Sequence, residues 1–447
     1  MKRTIVWAFG LLLSVSTARA YEPVTHAGLT DRAARASSLH KRLVERLKLS
    51  LGLYEPLTLE RGAKADRELN QRLARLDPEG GYVPDDGRQS ALAWLTAGAV
   101  VEGVPADRLR HHFVDPSTGA GLDDPGESSK LRTRMAGVVS GIGTLRGVFT
   151  GASFDGTGMA STAWLTSSQN EWGLPRHLDE RARAASARTP GERETALVKS
   201  LLAAGAILRV VETAGDPAFV RNDYRVALED GGGAYGRFVA ARYGRLGLPE
   251  TTSGTPTPDR PHLVELLHDP SGGGLADRTH RRFFSPGTLP SSKRSPSPTA
   301  TADDKPAGYV AGDAVAHLAG YRQSPRGVEW LLDDTVYRDY AEAMLPETTR
   351  YASAALDLLF RGRLEIADHQ GELTATVHEL GLGTVEASVY ADTASGERKR
   401  IFNRKLDRAA DGDVIAAVAK PAWASRITAV VRGIDANGEP IVIVQQQ

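Results

Sequence analysis

The chain contains no cysteine. Disulfides, thiolate metal sites and lipid attachment through a Cys thioether are therefore excluded. It also lacks net charge, with 55 Lys+Arg against 55 Asp+Glu. That balance gives no electrostatic reason to expect nucleic acid or an anionic membrane as partner. Gly-x-Ser-x-Gly, His-Glu-x-x-His and phosphate-loop patterns are all missing, which removes the commonest signatures of serine hydrolases, zincins and nucleotide-binding folds. No repeat with a period of 20–50 residues is visible, so a solenoid or propeller is not expected.

What is present is length and apolar content. At 447 residues, 41% hydrophobic, the chain can bury a large core and is expected to form two or three domains. Residues 1–20 read as a signal peptide. Lys2 and Arg3 open it, an apolar run follows over 5–15, and Ala18-Arg19-Ala20 forms a small-x-small cleavage site. The run is too short to span a bilayer. Cleavage would leave Tyr21 as the mature N-terminus. The expected destination is outside the cytoplasm: periplasm, cell surface or medium.

From 21 to 363 the apolar spacing is helical, as in Ala91–Val101 and in 194–213. The second stretch follows Thr189-Pro190-Gly191-Glu192, a cap and first turn. Two segments, 249–261 and 285–308, are poor in apolar residues and rich in Pro, Thr, Ser and Gly; they read as flexible linkers. After Arg363 the period changes. Short alternating or β-branched runs at 364–366, 374–377, 385–389, 414–418, 427–431 and 440–444 are separated by turns such as Asp411-Gly412 and Asn437-Gly438. A small immunoglobulin-like β-sandwich over 364–447 is expected. The fold class is mainly α, with the β-sandwich last.

Three stretches carry a resemblance. The first is Tyr21-Glu22-Pro23-Val24-Thr25-His26. The second runs from Trp94 through Gly98-Ala99, Glu102-Gly103 and Pro105 to Arg108, then His111-His112-Phe113-Val114-Asp115-Pro116. The third runs from Gly205 through Arg209, Glu212-Thr213 and Asp216-Pro217-Ala218-Phe219 to Arg221-Asn222-Asp223. Later segments, Gly274-Leu275-Ala276-Asp277 with Phe283-Phe284-Ser285 and the stretch around Asp339-Tyr340-Ala341, continue it. Together they resemble the zinc-dependent phospholipase C and single-strand nuclease superfamily, over about 21–363.

That resemblance implies a trinuclear zinc site that polarises a phosphate ester and activates water. It implies Tyr21 (through its free amine and carbonyl), His26 and His112 as ligands, and Glu102 as a carboxylate at the site. It also implies three departures. Arg209 stands where the family has a His, Thr213 where it has an Asp, and Phe219 where it has another His. Arg209 and Thr213 are four residues apart and share a helix face, but neither can replace the ligand pair. At most one zinc, loosely held, is expected. The Arg209 guanidinium is expected to supply the missing positive charge and to pair with Glu102.

The function this favours is an exported, non-catalytic binding or structural relative of phosphoesterases. An active metal-dependent phosphodiester hydrolase with an altered metal set is the alternative. A phospholipid, another phosphoester or an envelope component is the partner the resemblance leaves open.

Overall fold

The computed structural model describes residues 23–76, 87–122, 158–229, 233–244, 247–250, 257–290, 305–325 and 327–447. The expected signal peptide and Tyr21 lie outside the described residues, as do 251–256 and 291–304 within the two stretches expected to be linkers.

The chain opens with α1 (Pro23–Ala36), α2 (Leu39–Leu47) and α3 (Lys64–Leu76), the two-stranded β1 (Pro56–Thr58) and β2 (Arg88–Ser90), and α4 (Ala91–Val101). A 3-10 segment over Ala106–His112 follows, then α5 (Ser161–Thr166), α6 (Leu174–Ser186), α7 (Pro190–Thr213) and the single turn α8 (Pro217–Val220). The helical part is completed by α9 (Gly233–Arg242), α10 (Leu263–Leu267), α11 (Leu275–Arg282) and α12 (Asp334–Leu359).

Helix α7 is the centre. Thr189 caps it, accepting from Glu192 N at 3.3 Å while Glu192 accepts from Thr189 N at 3.0 Å. Pro190, with no N–H to satisfy, follows at the first helical position. Every residue from Thr195 to Thr213 is buried. A helix apolar all round belongs inside a core and not on its surface. Helix α4 is nearly as buried, and it meets α7 at a contact only glycine allows. A Cβ on Gly98 would lie 2.0 Å from Leu202 O, and one on Gly205 would lie 1.8 Å from Leu95 O. Backbone therefore touches backbone. One turn further along, Glu102 and Arg209 are carried into the same region.

A three-stranded antiparallel sheet, β3 (Gly308–Val310), β4 (Ala319–Ser324) and β5 (Gly327–Leu331), stands before α12. It lies inside the stretch expected to be helical. Tyr321 faces Trp330 across the β4–β5 pair, with ring centroids 6.1 Å apart, an aromatic cross-strand pair of the kind that stabilises a short hairpin.

The C-terminal strands are β6 (Arg363–His369), β7 (Glu372–His378), β8 (Leu382–Asp392), β9 (Arg398–Leu406), β10 (Val414–Ala419), β11 (Arg426–Asp435) and β12 (Pro440–Gln446). They form two antiparallel sheets, β10-β7-β6 and β12-β11-β8-β9. Leu373, Ala375 and Val377 of one sheet pack with Val385, Ala387, Val389, Ile427 and Val431 of the other. The second sheet is also covered on its outer face. Val430, Val442 and Val444 pack against Ala182 and Ala185 of α6. Burial on both faces explains why β11 and β12 read as continuous apolar runs rather than strict alternation. Strand β9 was not expected. Its Arg-Lys-Arg start and charged end disguise an edge strand whose charges, apart from the buried Arg398, are exposed.

Charge pins the two parts together. Arg398 forms a fork on Asp392 at 2.6 and 2.9 Å and donates to Ala185 O at 2.6 Å. Arg361 Nε donates to Asp435 at 3.1 Å.

Candidate functional site

The site grows from the α4–α7 crossing. Glu102 follows α4 directly and is fully buried. Arg108, from the 3-10 segment, donates to one carboxylate oxygen of Glu102, to its backbone O at 3.2 Å and to Asn170 Oδ1 at 2.7 Å. Trp164 Nε1, on α5, donates to the other carboxylate oxygen at 3.0 Å, and His112 Nε2 lies 3.4 Å from it. His112 Nδ1 is 3.1 Å from Thr213 Oγ1, which itself donates to Arg209 O at 2.8 Å. The indole of Trp164 is clasped between the Arg108 guanidinium, 5.2 Å from its ring centre, and the stacked His111 ring at 4.1 Å.

The electrostatics follow from these partners. Burial alone would raise Glu102, but the His112 hydrogen bond, Arg108 and Trp164 outweigh it and hold the carboxyl below its ordinary value. Burial lowers His112, against the pull of Glu102. Glu102 is thus held toward its carboxylate form, while burial holds the imidazole beside it below its ordinary value.

A second carboxyl stands close by on α7. Glu212 contacts His26 Nδ1 of α1 at 2.7 Å and accepts from Thr30 Oγ1 at 2.7 Å. Here burial dominates. It pushes Glu212 up to about 8, with Thr30 and Arg209 only partly opposing it. Burial, then Arg209 and His112, hold His26 well below its usual range. At neutral pH the protonated Glu212 donates to a neutral imidazole.

Arg209 sits between these groups. It is 1% exposed, donates to Ala99 O at 2.9 Å and lies against Gly103, where a Cβ would come 2.6 Å from Nη2. Its charge bears on His26, His112 and Glu212. The guanidinium bonded to Glu102 is therefore that of Arg108, a correction to the expected Arg209–Glu102 pair. Thr213 takes up the His112 ring, and Phe219 packs on Phe113 with centroids 4.5 Å apart. Tyr21 lies outside the described residues.

Sequence reasoning brought Glu102, His112, Arg209 and Thr213 to one place. It missed the roles of Arg108, Trp164, Asn170, Thr30 and Glu212. The available signal was Glu212, an acid three residues from Arg209 in the largely apolar C-terminal half of α7. Among the described residues, no group of three or more His, Asp or Glu side chains is arranged to hold a metal ion.

No protein-family model and no curated protein matches the chain. Among solved structures, the alpha toxin of Clostridium absonum is similar at 11% identity and a TM-score of 0.31, covering 96% of each chain. An alpha toxin of Clostridium perfringens from an avian strain gives the same identity and TM-score, covering 97% of this chain and 98% of that one. A likeness this weak decides nothing about the chemistry of the site.

Proposed function

We propose that this chain is an exported, non-catalytic relative of the zinc-dependent phospholipases C, acting by binding or as a structural protein. The observation that carries this reading is the buried Arg209 guanidinium, whose charge bears on both imidazoles that the family resemblance names as ligands. A fixed cation in that position repels a metal ion. Glu102 is also committed elsewhere, to Arg108 and Trp164. These residues do not fit a zinc ion, and no hydrolytic step is built on one. The polar cluster holds the helices in register instead.

Elemental analysis of the mature chain, starting at Tyr21, tests this directly. The expected result is no zinc, or a single ion lost on dialysis. Two or three retained zinc ions per chain would overturn the reading in favour of an active phosphodiesterase. In metal-free protein, Arg209→His is expected to destabilise by about 3 kcal/mol, because a buried partner of the cluster is removed. Unchanged stability with increased zinc binding would show that Arg209 does not replace the metal.

A further inference from the structure

Away from the Glu102 cluster, a cavity of about 370 Å³ opens between the helical part and the β-sandwich. Leu57, Leu197, Phe360 and Val444 give it apolar walls. Five cations, Lys48, Arg88, Arg181, Arg193 and Arg426, line it against two acids, Glu55 and Glu194. Both acids are already committed to backbone N–H groups. Glu55 accepts from Leu51 N at 2.9 Å, and Glu194 from Thr58 N at 2.6 Å. Arg193 is held by Asp392 at 3.7 Å and by Gly396 O at 3.0 Å.

Arg181 differs from the rest. It is 5% exposed, yet among the described residues it has no carboxylate partner. Nη1 donates to Leu359 O at 2.6 Å, and the Phe360 ring lies under the guanidinium at 4.6 Å. Its Nε is buried with no hydrogen-bond partner. The neighbouring charges are Arg46, Arg42 and Arg361; burial first, and then these, push Arg181 down to about 9. A buried cation without a counter-charge is expensive unless something else supplies one. The ring and the Leu359 carbonyl fix the guanidinium in place, which lowers the cost of ordering it around a ligand.

We propose that this interface cavity binds an organic anion with an apolar tail, its carboxylate or phosphate head on Arg181 and its tail along Leu57, Leu197 and Val444. The division of labour is that of small-molecule pockets, with apolar walls for affinity and one placed polar group for orientation. The site is separate from the Glu102 cluster and does not depend on whether that cluster is catalytic.

Calorimetric titration of the full mature chain with decanoate and with decyl phosphate tests it, with decanol and acetate as controls for head and tail. One-to-one binding of either anion is expected, with both controls weaker by roughly tenfold or more. The tighter anion identifies the head group. Arg181→Gln and Ala184→Phe, the second adding a ring at a residue that lines the cavity, are each expected to weaken binding by roughly tenfold or more. If Arg181→Gln fails to fold, Ala184→Phe decides. No saturable binding of either anion, equal affinity for decanol, or parental affinity in Ala184→Phe would overturn the proposal.

Discussion

Two glutamates, Glu102 and Glu212, are buried to the same degree on touching helices, yet one is held as a carboxylate and the other as an acid. Glu102 has a guanidinium, an indole N–H and an imidazole on its oxygens. Glu212 has one hydroxyl and an imidazole that is itself kept neutral by burial and by Arg209. Burial pushes both carboxyls the same way, so the partners decide the charge. The largest test of this contrast is to remove the decisive partner. Arg108→Met keeps the volume and leaves Glu102 charged and unpaired, at an expected cost of about 3–5 kcal/mol. Urea unfolding at pH 7 measures it. A loss below 1 kcal/mol would mean that Arg108 does not stabilise the Glu102 charge.

The second test uses pH. The folded-state value of Glu212 lies above its ordinary value, so the folded protein holds a proton that the unfolded chain has released. Stability contributed by the protonated group is complete below the ordinary carboxyl value of 4.5 and is lost as pH rises toward about 8. His26 acts oppositely. Its lowered value makes folding lose stability as pH falls below 6.5. The two effects offset each other between 4.5 and 6.5, which leaves the window above 6.5 to Glu212. Asp216, pushed up to about 7 by burial, overlaps its lower edge, so the comparison must be with a variant. From pH 6.5 to 8 the parent is expected to lose about 2 kcal/mol more than Glu212→Gln. Parallel stability–pH curves for the two proteins would show that Glu212 is not held protonated.

Most of this architecture was legible in the pattern of residues. The helical period, the capped start of α7 and six of the seven C-terminal strands are local signals, and each appears near its expected place. What escaped depended on tertiary contact. Strand β9 carries charges because it is an edge, and the β3–β5 sheet is too short for periodicity to separate it from a helical region. At the site, Glu102, His112, Arg209 and Thr213 could be grouped because their spacing follows a known frame. The choice of Arg108 over Arg209 as the partner of Glu102 could not. It follows from the glycine contact of Gly98 with α7 and from Gly103, which lets the Arg209 guanidinium lie flat along the chain beyond Glu102.

The smallest test asks whether Thr30 acts on the charge of Glu212 or only fills space. Among the described residues its hydroxyl is the one neutral donor to that carboxyl, and it favours the ionised form. Thr30→Val preserves the shape and removes the hydrogen bond. Below pH 7, where Glu212 carries its proton, the expected cost is about 1 kcal/mol for a single lost bond. Above pH 8 the same bond would be made to a carboxylate, where a hydrogen bond is worth roughly twice as much. The deficit of Thr30→Val should therefore grow as pH rises from 6 to 9. A deficit of equal size at both ends would mean that Thr30 serves packing alone, and that the partners of Glu102 by themselves set the difference between Glu212 and Glu102.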